Sequence, residues 1–295
     1  VRRGSDGFAV FGVVGREDGV TQRLGVAYRG GHLEKKIDGD EAGGMAELAA
    51  ILPVHAVDPS VHALVEGGPS ERRRFLDWGV FHVEHAYLET WKRYRRLLSQ
   101  RNAALKLPAK LHELRPWSAA LVEAGEAVDA SRRRYVAALA PRLTDFGARL
   151  LARSLDLEYR RGWPDDQSLV ETLLASELRD QEAGSTHVGP HRAELVLRLD
   201  GRRVHEEASR GQQKLAAAAL VLAQVAVESA MRPGRSVLVV DDPAAELDER
   251  SLQRLLAALG ALDAQLVLTA LTPQNLAATP GFPVFHVEQG RVSEL

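Results

Sequence analysis

The sequence predicts an α/β fold: a mixed sheet with helices on both faces, into which an α-helical arm lobe is inserted. Three observations lead there. Val237-Leu238-Val239-Val240 is a short apolar run that stops at Asp241-Asp242 and lies between two helical patterns, as a strand buried on both faces would. A second strand pattern, Gln265 to Thr269, follows one helix later, and strand–helix–strand alternation of this kind calls for a parallel sheet. Between about 81 and 183 the apolar spacing changes to that of long amphipathic helices.

The elements follow in order. Alternation through Phe8-Ala9-Val10-Phe11-Gly12-Val13-Val14, with turns at Asp18-Gly19 and Gly30-Gly31, predicts a short antiparallel meander over residues 1 to about 40. Residues 41–80 are mixed, so 1–80 forms the first part of the main lobe. In 81–183, Tyr87, Trp91, Tyr94 and Leu98 mark one helix, and Trp117, Leu121, Ala124, Val128, Tyr135 and Leu139 mark another. The break from Lys106-Leu107-Pro108 to Arg115-Pro116 folds them back on each other, and Asp165-Asp166 after Trp163-Pro164 caps a third. The aromatic stripes share one face at coiled-coil spacing and are packing surfaces rather than base-stacking platforms. Residues 184–295 return to α/β: a hairpin Glu194 to Leu199 with a turn at Asp200-Gly201, Arg203 to Glu207, helix Gly211 to Ala230, helix Glu249 to Leu259 and a closing strand near Val284.

A chain of 295 residues, 45% hydrophobic, buries one large core or two modest ones, and two lobes are expected. No cysteine is present, which excludes a disulfide framework and thiolate metal sites. No signal peptide or membrane-spanning run is read, and the expected compartment is the cytoplasm. The net charge of −2 argues against a uniformly basic coat. The arginines are clustered, however, and Arg72-Arg73-Arg74 and Arg132-Arg133-Arg134, with Arg93, Arg95, Arg96, Arg160 and Arg161, are candidate phosphate contacts on DNA.

The chemistry concentrates between Ser209 and Asp248. Ser209-Arg210-Gly211-Gln212-Gln213-Lys214 opens a helix, where a small hydroxyl and a glycine leave amides and the helix dipole facing an anion such as phosphate. Asp241, at the carboxyl end of its strand, is placed to hold Mg²⁺. Asp242 points elsewhere and is placed to orient or deprotonate the water that attacks a γ-phosphate. Glu246-Leu247-Asp248 follows, and Thr269 ends the next strand. His82 with His85, and His187 with His191, have metal-ligand spacing but no third ligand. No Gly-x-Ser-x-Gly elbow occurs.

These motifs are the far half of an ATPase of the ABC type, and the chain resembles the RecF recombination mediators, bacterial relatives of the SMC ATPases. Thr186 to Arg192 looks like that family's Gly-Pro-His-Arg signature and Ser209 to Lys214 like its Ser-Arg-Gly-Gln-Gln-Lys loop. Pro59, Gly67-Gly68-Pro69, Arg72 to Asp77 and Gln100-Arg101-Asn102 are similar too. The resemblance implies an ABC-type head that binds ATP and Mg²⁺, closes as an ATP-dependent homodimer, binds single-stranded and gapped double-stranded DNA, and works with RecR/RecO-type mediators in recombinase loading and SOS induction. It also implies that Ser209, Arg210, Gly211, Gln212, Asp248 and Thr269 contact nucleotide, Ser209 and Gly211 acting in trans.

Three departures accompany it. The family begins with a strand, a P-loop and a helix, yet the chain starts at Val1 and has no Gly-Lys pair; this reads as a missing amino-terminal unit, with most ATP affinity lost and an apolar sheet edge exposed. Where ABC transporters carry a switch histidine, Thr269 stands, which implies slow hydrolysis. Leu52 to Pro59 falls where such ATPases keep a metal-sensing loop, without the expected glutamine. Two readings therefore stand: an ATP-controlled DNA-binding repair protein, and a non-enzymatic DNA- or protein-binding fragment.

Overall fold

The computed structural model describes residues 5–15, 19–107, 115–272 and 282–294. Strands β1 (Gly7–Gly15), β2 (Thr21–Arg29), β3 (His32–Ile37) and β4 (Asp40–Glu41) form an antiparallel sheet in chain order. Helix α1 (Met45–Ile51) and strand β5 (Val54–Val57) follow, then α2 (Ala63–Glu66), α3 (Pro69–Val83), α4 (Tyr87–Leu105) and α5 (Arg115–Leu151). Next come β6 (Leu155–Arg160), α6 (Leu169–Ala175), α7 (Glu177–Ala183), β7 (Glu194–Leu199), β8 (Arg202–Arg203) and α8 (Val204–Glu207). The remainder is α9 (Arg210–Met231), β9 (Val237–Val240), α10 (Glu249–Gly260), β10 (Gln265–Leu268), β11 (Phe285–Glu288) and β12 (Arg291–Glu294).

The functional layer is a parallel sheet in the order β10-β9-β5, in which Val237 pairs with both Val54 and Gln265. Equal register puts the residues that follow the three strands, Asp58, Asp241 and Thr269, at one edge. The sequence reading of Leu52 to Pro59 as a loop is therefore corrected. His55 is buried in the middle of β5, where its Nε2 is 2.7 Å from Oε2 of Glu228 on α9. A partner 173 positions away turns a polar residue into a core one, and no local pattern carries that information.

The 81–183 segment is not wholly helical. Strand β6 pairs antiparallel with β7, from Leu155 with Leu199 to Arg160 with Glu194, so the segment shares a sheet with the residues that follow it. The cap of α6 is Ser168, whose Oγ accepts from Glu171 N while Glu171 Oε2 accepts from Ser168 N. It is not Asp165, which lies 3.3 Å from Arg161 Nε; the reciprocal box needs a Glu or Gln three residues on, which Ser168 has in Glu171 and Asp165 lacks. Of the stripe residues, Tyr87, Tyr94, Leu98, Leu121, Ala124, Val128, Tyr135 and Leu139 are buried, whereas Trp117 is exposed. Pro108, in the expected break, and Asp18, in the expected first turn, lie outside the described residues.

One core joins these parts. Leu139, Leu143 and Leu150 of α5 pack in the same cluster as Leu220 and Leu222 of α9 and Leu238 of β9. Helix α3 approaches α5 so closely at Gly79 that a Cβ there would sit 2.1 Å from the Tyr135 hydroxyl. Gln224 Nε2 completes that junction by donating to Tyr135 Oη and to Phe75 O, each at 3.1 Å.

Helix α9, at 22 residues, is long and apolar enough by length and composition to cross a membrane, contrary to the reading that no such run exists. Here Leu215 to Val225 is buried in the core, which is why it is so apolar. The β1–β2 hairpin is the opposite case: Phe8, Val10, Phe11 and Val13 are exposed beside a cavity of about 850 Å³ that α1 and the start of β9 also line.

Candidate functional site

The carboxyl edge of the parallel sheet gathers the candidate chemistry. Asp241 N donates to Val57 O and Thr269 N donates to Val240 O, so ladder bonds continue one residue past the strands and fix both backbones. Thr269 Oγ1 donates to Asp241 Oδ1 at 2.6 Å and accepts from Asp242 N at 3.0 Å. Thr269 thus ties both carboxylate residues together, a role that sequence spacing did not reveal. Asp242 has φ 38° and ψ 60°, a left-handed conformation that is uncommon without glycine. Its Oδ1 is buried and has no hydrogen-bond partner among the described residues, an acceptor that a water or a ligand proton would satisfy. Asp241 is exposed, and among the described residues only its Oδ1 accepts a side-chain hydrogen bond, so the pair fits a hard divalent cation with its attendant water.

Helix α9 starts with a full capping box. Ser209 Oγ accepts from Gln212 N at 3.4 Å and Gln212 Oε1 accepts from Ser209 N at 3.0 Å. These two side chains therefore serve the helix itself, while the first-turn amides of Arg210 and Gly211 have no intrahelical acceptor. A Cβ on Gly211 would meet nothing within 4 Å, so the loop face there is open. Asp248 caps α10: Oδ1 accepts from Ser251 N at 2.9 Å and Oδ2 from Ser251 Oγ at 2.8 Å. Those bonds hold its carboxyl below the usual range.

An unforeseen pair links the two motifs. Lys214 Nζ lies 2.7 Å from Glu246 Oε1, and both line a small cavity with Asp58 and Asp241. The second turn of α9 is thereby joined to the loop after β9. Lys214 was visible in the matched loop and Glu246 beside Asp248, but their contact depends on how α9 crosses the sheet.

The candidate arginines separate sharply. Arg132 is buried, with Nη2 2.7 Å from Asp77 Oδ1 and Nη1 donating to Pro190 O at 2.6 Å. Arg72 holds both Glu194 oxygens at 2.8 Å. Neither is a free surface contact for DNA, which corrects that reading for both; the reason is that each satisfies a polar group that would otherwise be buried unpaired. Arg74, Arg133 and Arg134 are exposed and paired with Glu71, Asp129 and Glu84. Arg73 Nη1 donates to Ala193 O at 2.8 Å; burial and the neighbouring guanidiniums of Arg132 and Arg192 push it below arginine's ordinary value.

The histidines are structural. His191 Nδ1 accepts from the Tyr94 hydroxyl at 2.6 Å and Nε2 donates to Thr186 O at 3.0 Å, and burial pushes its pKa down to about 4. His187 Nδ1 is 2.9 Å from Asp180 Oδ1, and Asp180 also holds the fully buried Arg101 at 2.8 Å. His82 packs edge-on against Trp78 and Phe81, with neither ring nitrogen hydrogen-bonded among the described residues, and burial lowers it to about 4. His85 instead meets Arg232. The two spacings that suggested metal ligands thus point to separate partners, and among the described residues no group of three or more ligands could hold a metal.

No family model matches the chain. It is 45% identical over 258 residues to the DNA replication and repair protein RecF of Thioalkalivibrio sulfidiphilus (strain HL-EbGR7), covering 86% of this chain and 72% of that protein. With the same-named protein of Pseudomonas aeruginosa (strain LESB58) it shares 41% identity over 294 residues, covering 97% and 79%. Among solved structures, the recombination mediator protein RecF-ATP of the RecFOR pathway superposes with a TM-score of 0.84 at 23% identity, over 100% of this chain and 82% of that one. The Smc head domain of Pyrococcus furiosus, with an extended coiled coil, gives 0.56 at 16% identity, over 99% and 77%. The fold is that of RecF and SMC heads of the ABC ATPase class, and by its identity to these relatives the chain belongs to the RecF family of DNA replication and repair proteins.

Proposed function

We propose that the chain is an ATP-controlled DNA-binding protein that acts on single-stranded or gapped duplex DNA in the cytoplasm, in a homodimer, alongside RecR/RecO-type mediators and in support of recombinase loading and SOS induction. The observation that carries the nucleotide part is the Thr269 bridge between Asp241 and Asp242 at the carboxyl edge of the parallel sheet, where open α/β sheets place ligands.

Asp241 is the residue that would hold Mg²⁺, and when bound the ion would neutralise phosphate charge. Asp242 accepts a proton from, or orients, a water through its unpartnered Oδ1, and its fixed backbone keeps that oxygen in place before substrate arrives. Thr269 donates to Asp241 Oδ1 and so fixes the orientation of that carboxylate. Having no imidazole, it cannot share a proton with the γ-phosphate, so turnover is slow. Ser209, Arg210, Gly211 and Gln212 present the start of α9 to a nucleotide held by the second copy. Asp248 caps α10 through Ser251.

The test is fluorescence anisotropy of a labelled gapped duplex titrated with the chain, with and without Mg²⁺-ATP, at two salt concentrations. ATP-dependent tightening that Asp241→Ala abolishes supports the reading. Binding that weakens with salt but ignores ATP would replace it with a nucleotide-independent DNA contact.

A further inference from the structure

Four guanidiniums converge on one turn. Arg132 Nη1 donates to Pro190 O at 2.6 Å, Arg73 Nη1 donates to Ala193 O at 2.8 Å, and Arg72 grips Glu194. Arg192 belongs to the turn, its Nη2 donating to Thr186 O at 3.2 Å. Two carboxylates answer these four charges, Glu194 on Arg72 and Asp77 on Arg132. Among the described residues neither Arg73 nor Arg192 has an ion pair, and Arg192 is exposed while Arg73 is half-buried.

The turn is built to hold that excess charge still. Gly189 adopts φ 125°, which a side chain rarely allows, and a Cβ there would come within 2.9 Å of the Tyr94 hydroxyl. Tyr94 also anchors His191 from α4, while Arg132 and Arg73 fasten the turn from α5 and α3. Repulsion between fixed like charges is relieved by an anion, and guanidiniums already immobilised lose little freedom on binding one.

We infer that Arg73 and Arg192 form a subsite for a phosphate of a nucleic-acid strand, at the meeting of α3 with the Pro190–Arg192 turn. A guanidinium fork matches two phosphate oxygens at once. The surroundings favour a strand over a free nucleotide. A groove of about 300 Å³ begins beside the turn at Arg72 and Glu194 and continues past Arg160, Arg203 and His205, so a path lined by basic side chains leads on beyond the reach of one phosphate. Arg160 and Arg203 have carboxylate partners of their own, which leaves Arg73 and Arg192 as the pair with charge to spare. The inference rests on the DNA-binding reading above and gives it a location.

The experiment compares the intact chain with Arg73→Gln, Arg192→Gln, the double variant and the corresponding lysine variants, by anisotropy on a labelled single strand and a gapped duplex over a salt series. Arg149→Gln, which removes an exposed α5 arginine paired with Asp145, is the control. Each glutamine variant is expected to weaken binding by about tenfold at low salt and to flatten the plot of log K against log salt by roughly 0.7 to 0.9 per lost contact. The lysine variants and the control should keep the slope. Circular dichroism and melting verify folding; if Arg73→Gln loses its fold along with the Ala193 bond, the exposed Arg192 carries the comparison.

Glutamine variants that match the intact chain in affinity and slope, while the intact chain binds DNA, would overturn this inference and leave the DNA reading standing. An intact chain that binds neither DNA would remove both. A third arm measures thermal stabilisation by ATP without DNA: if the glutamine variants lose that and keep DNA binding, the subsite is one for free nucleotide and the inference fails.

Discussion

Asp242 shows how a single backbone angle carries function. Its left-handed conformation at φ 38° costs of order 1 kcal/mol for a residue with a side chain, and the peptide N–H so placed donates to Thr269. Asp242→Gly is expected to retain stability or gain up to about 1 kcal/mol in urea denaturation, while Asp242→Val loses at least about 1 kcal/mol. One buried and one half-buried histidine set the acid limit. His82 and His191 both titrate near 4 when folded, against about 6.5 in an unfolded chain. Because the folded values are depressed, the neutral forms contribute fully above about 6.5, and that stability is lost as pH falls from there toward 4. Denaturation midpoints measured from pH 7 to 4.5 should fall accordingly. His82→Phe, which removes two nitrogens that have no hydrogen bond and keeps the ring against Trp78, should flatten the fall at little cost at pH 7.

At the scale of elements, legibility followed sequence locality. Helix α9, strand β9, α10 and β10 form one contiguous stretch whose apolar runs, caps and carboxylates each announce themselves, and their structural bounds differ from the sequence reading by a residue or so. Strands β5 and β6 were missed because neither is an apolar run. The first has buried His55, and the second, Leu-Asp-Leu-Glu-Tyr-Arg, sits at the end of a 37-residue helix whose period masks it. The Asp241–Thr269 bond was foreseeable only as proximity, whereas Lys214 with Glu246 and the convergence of Arg72, Arg73 and Arg132 on the turn of residues 190–194 required the packed helices. The closest of these packings is at Gly79. Gly79→Ala is expected to cost about 1–3 kcal/mol by forcing Tyr135 and Gln224 away from α3, read as a lowered midpoint in chemical denaturation. Ser209→Ala, which removes only a cap, should cost about 1 kcal/mol.

For the molecule as a whole, the β1–β2 hairpin, exposed along both faces of β1, is the weak point in solution. Phe11 is 67% exposed and Val10 63%, both lining the large cavity, and exposed apolar strands of this sort invite association. Val10→Thr with Phe11→Ser should reduce dye binding and light scattering on concentration without lowering the melting temperature by more than a few degrees; unchanged scattering would place the sticky surface elsewhere. The parallel sheet also sets a timetable. His55 finds Glu228 173 positions later, and β5 gains its only sheet neighbour among the described residues, β9, at a similar distance. At roughly 5–20 residues per second on the ribosome, β5 waits on the order of ten to thirty seconds for the rest of its layer to be synthesised. A nascent chain halted before residue 240 should therefore be protease-sensitive through β5 and α3 and dependent on chaperones, however stable the finished protein is.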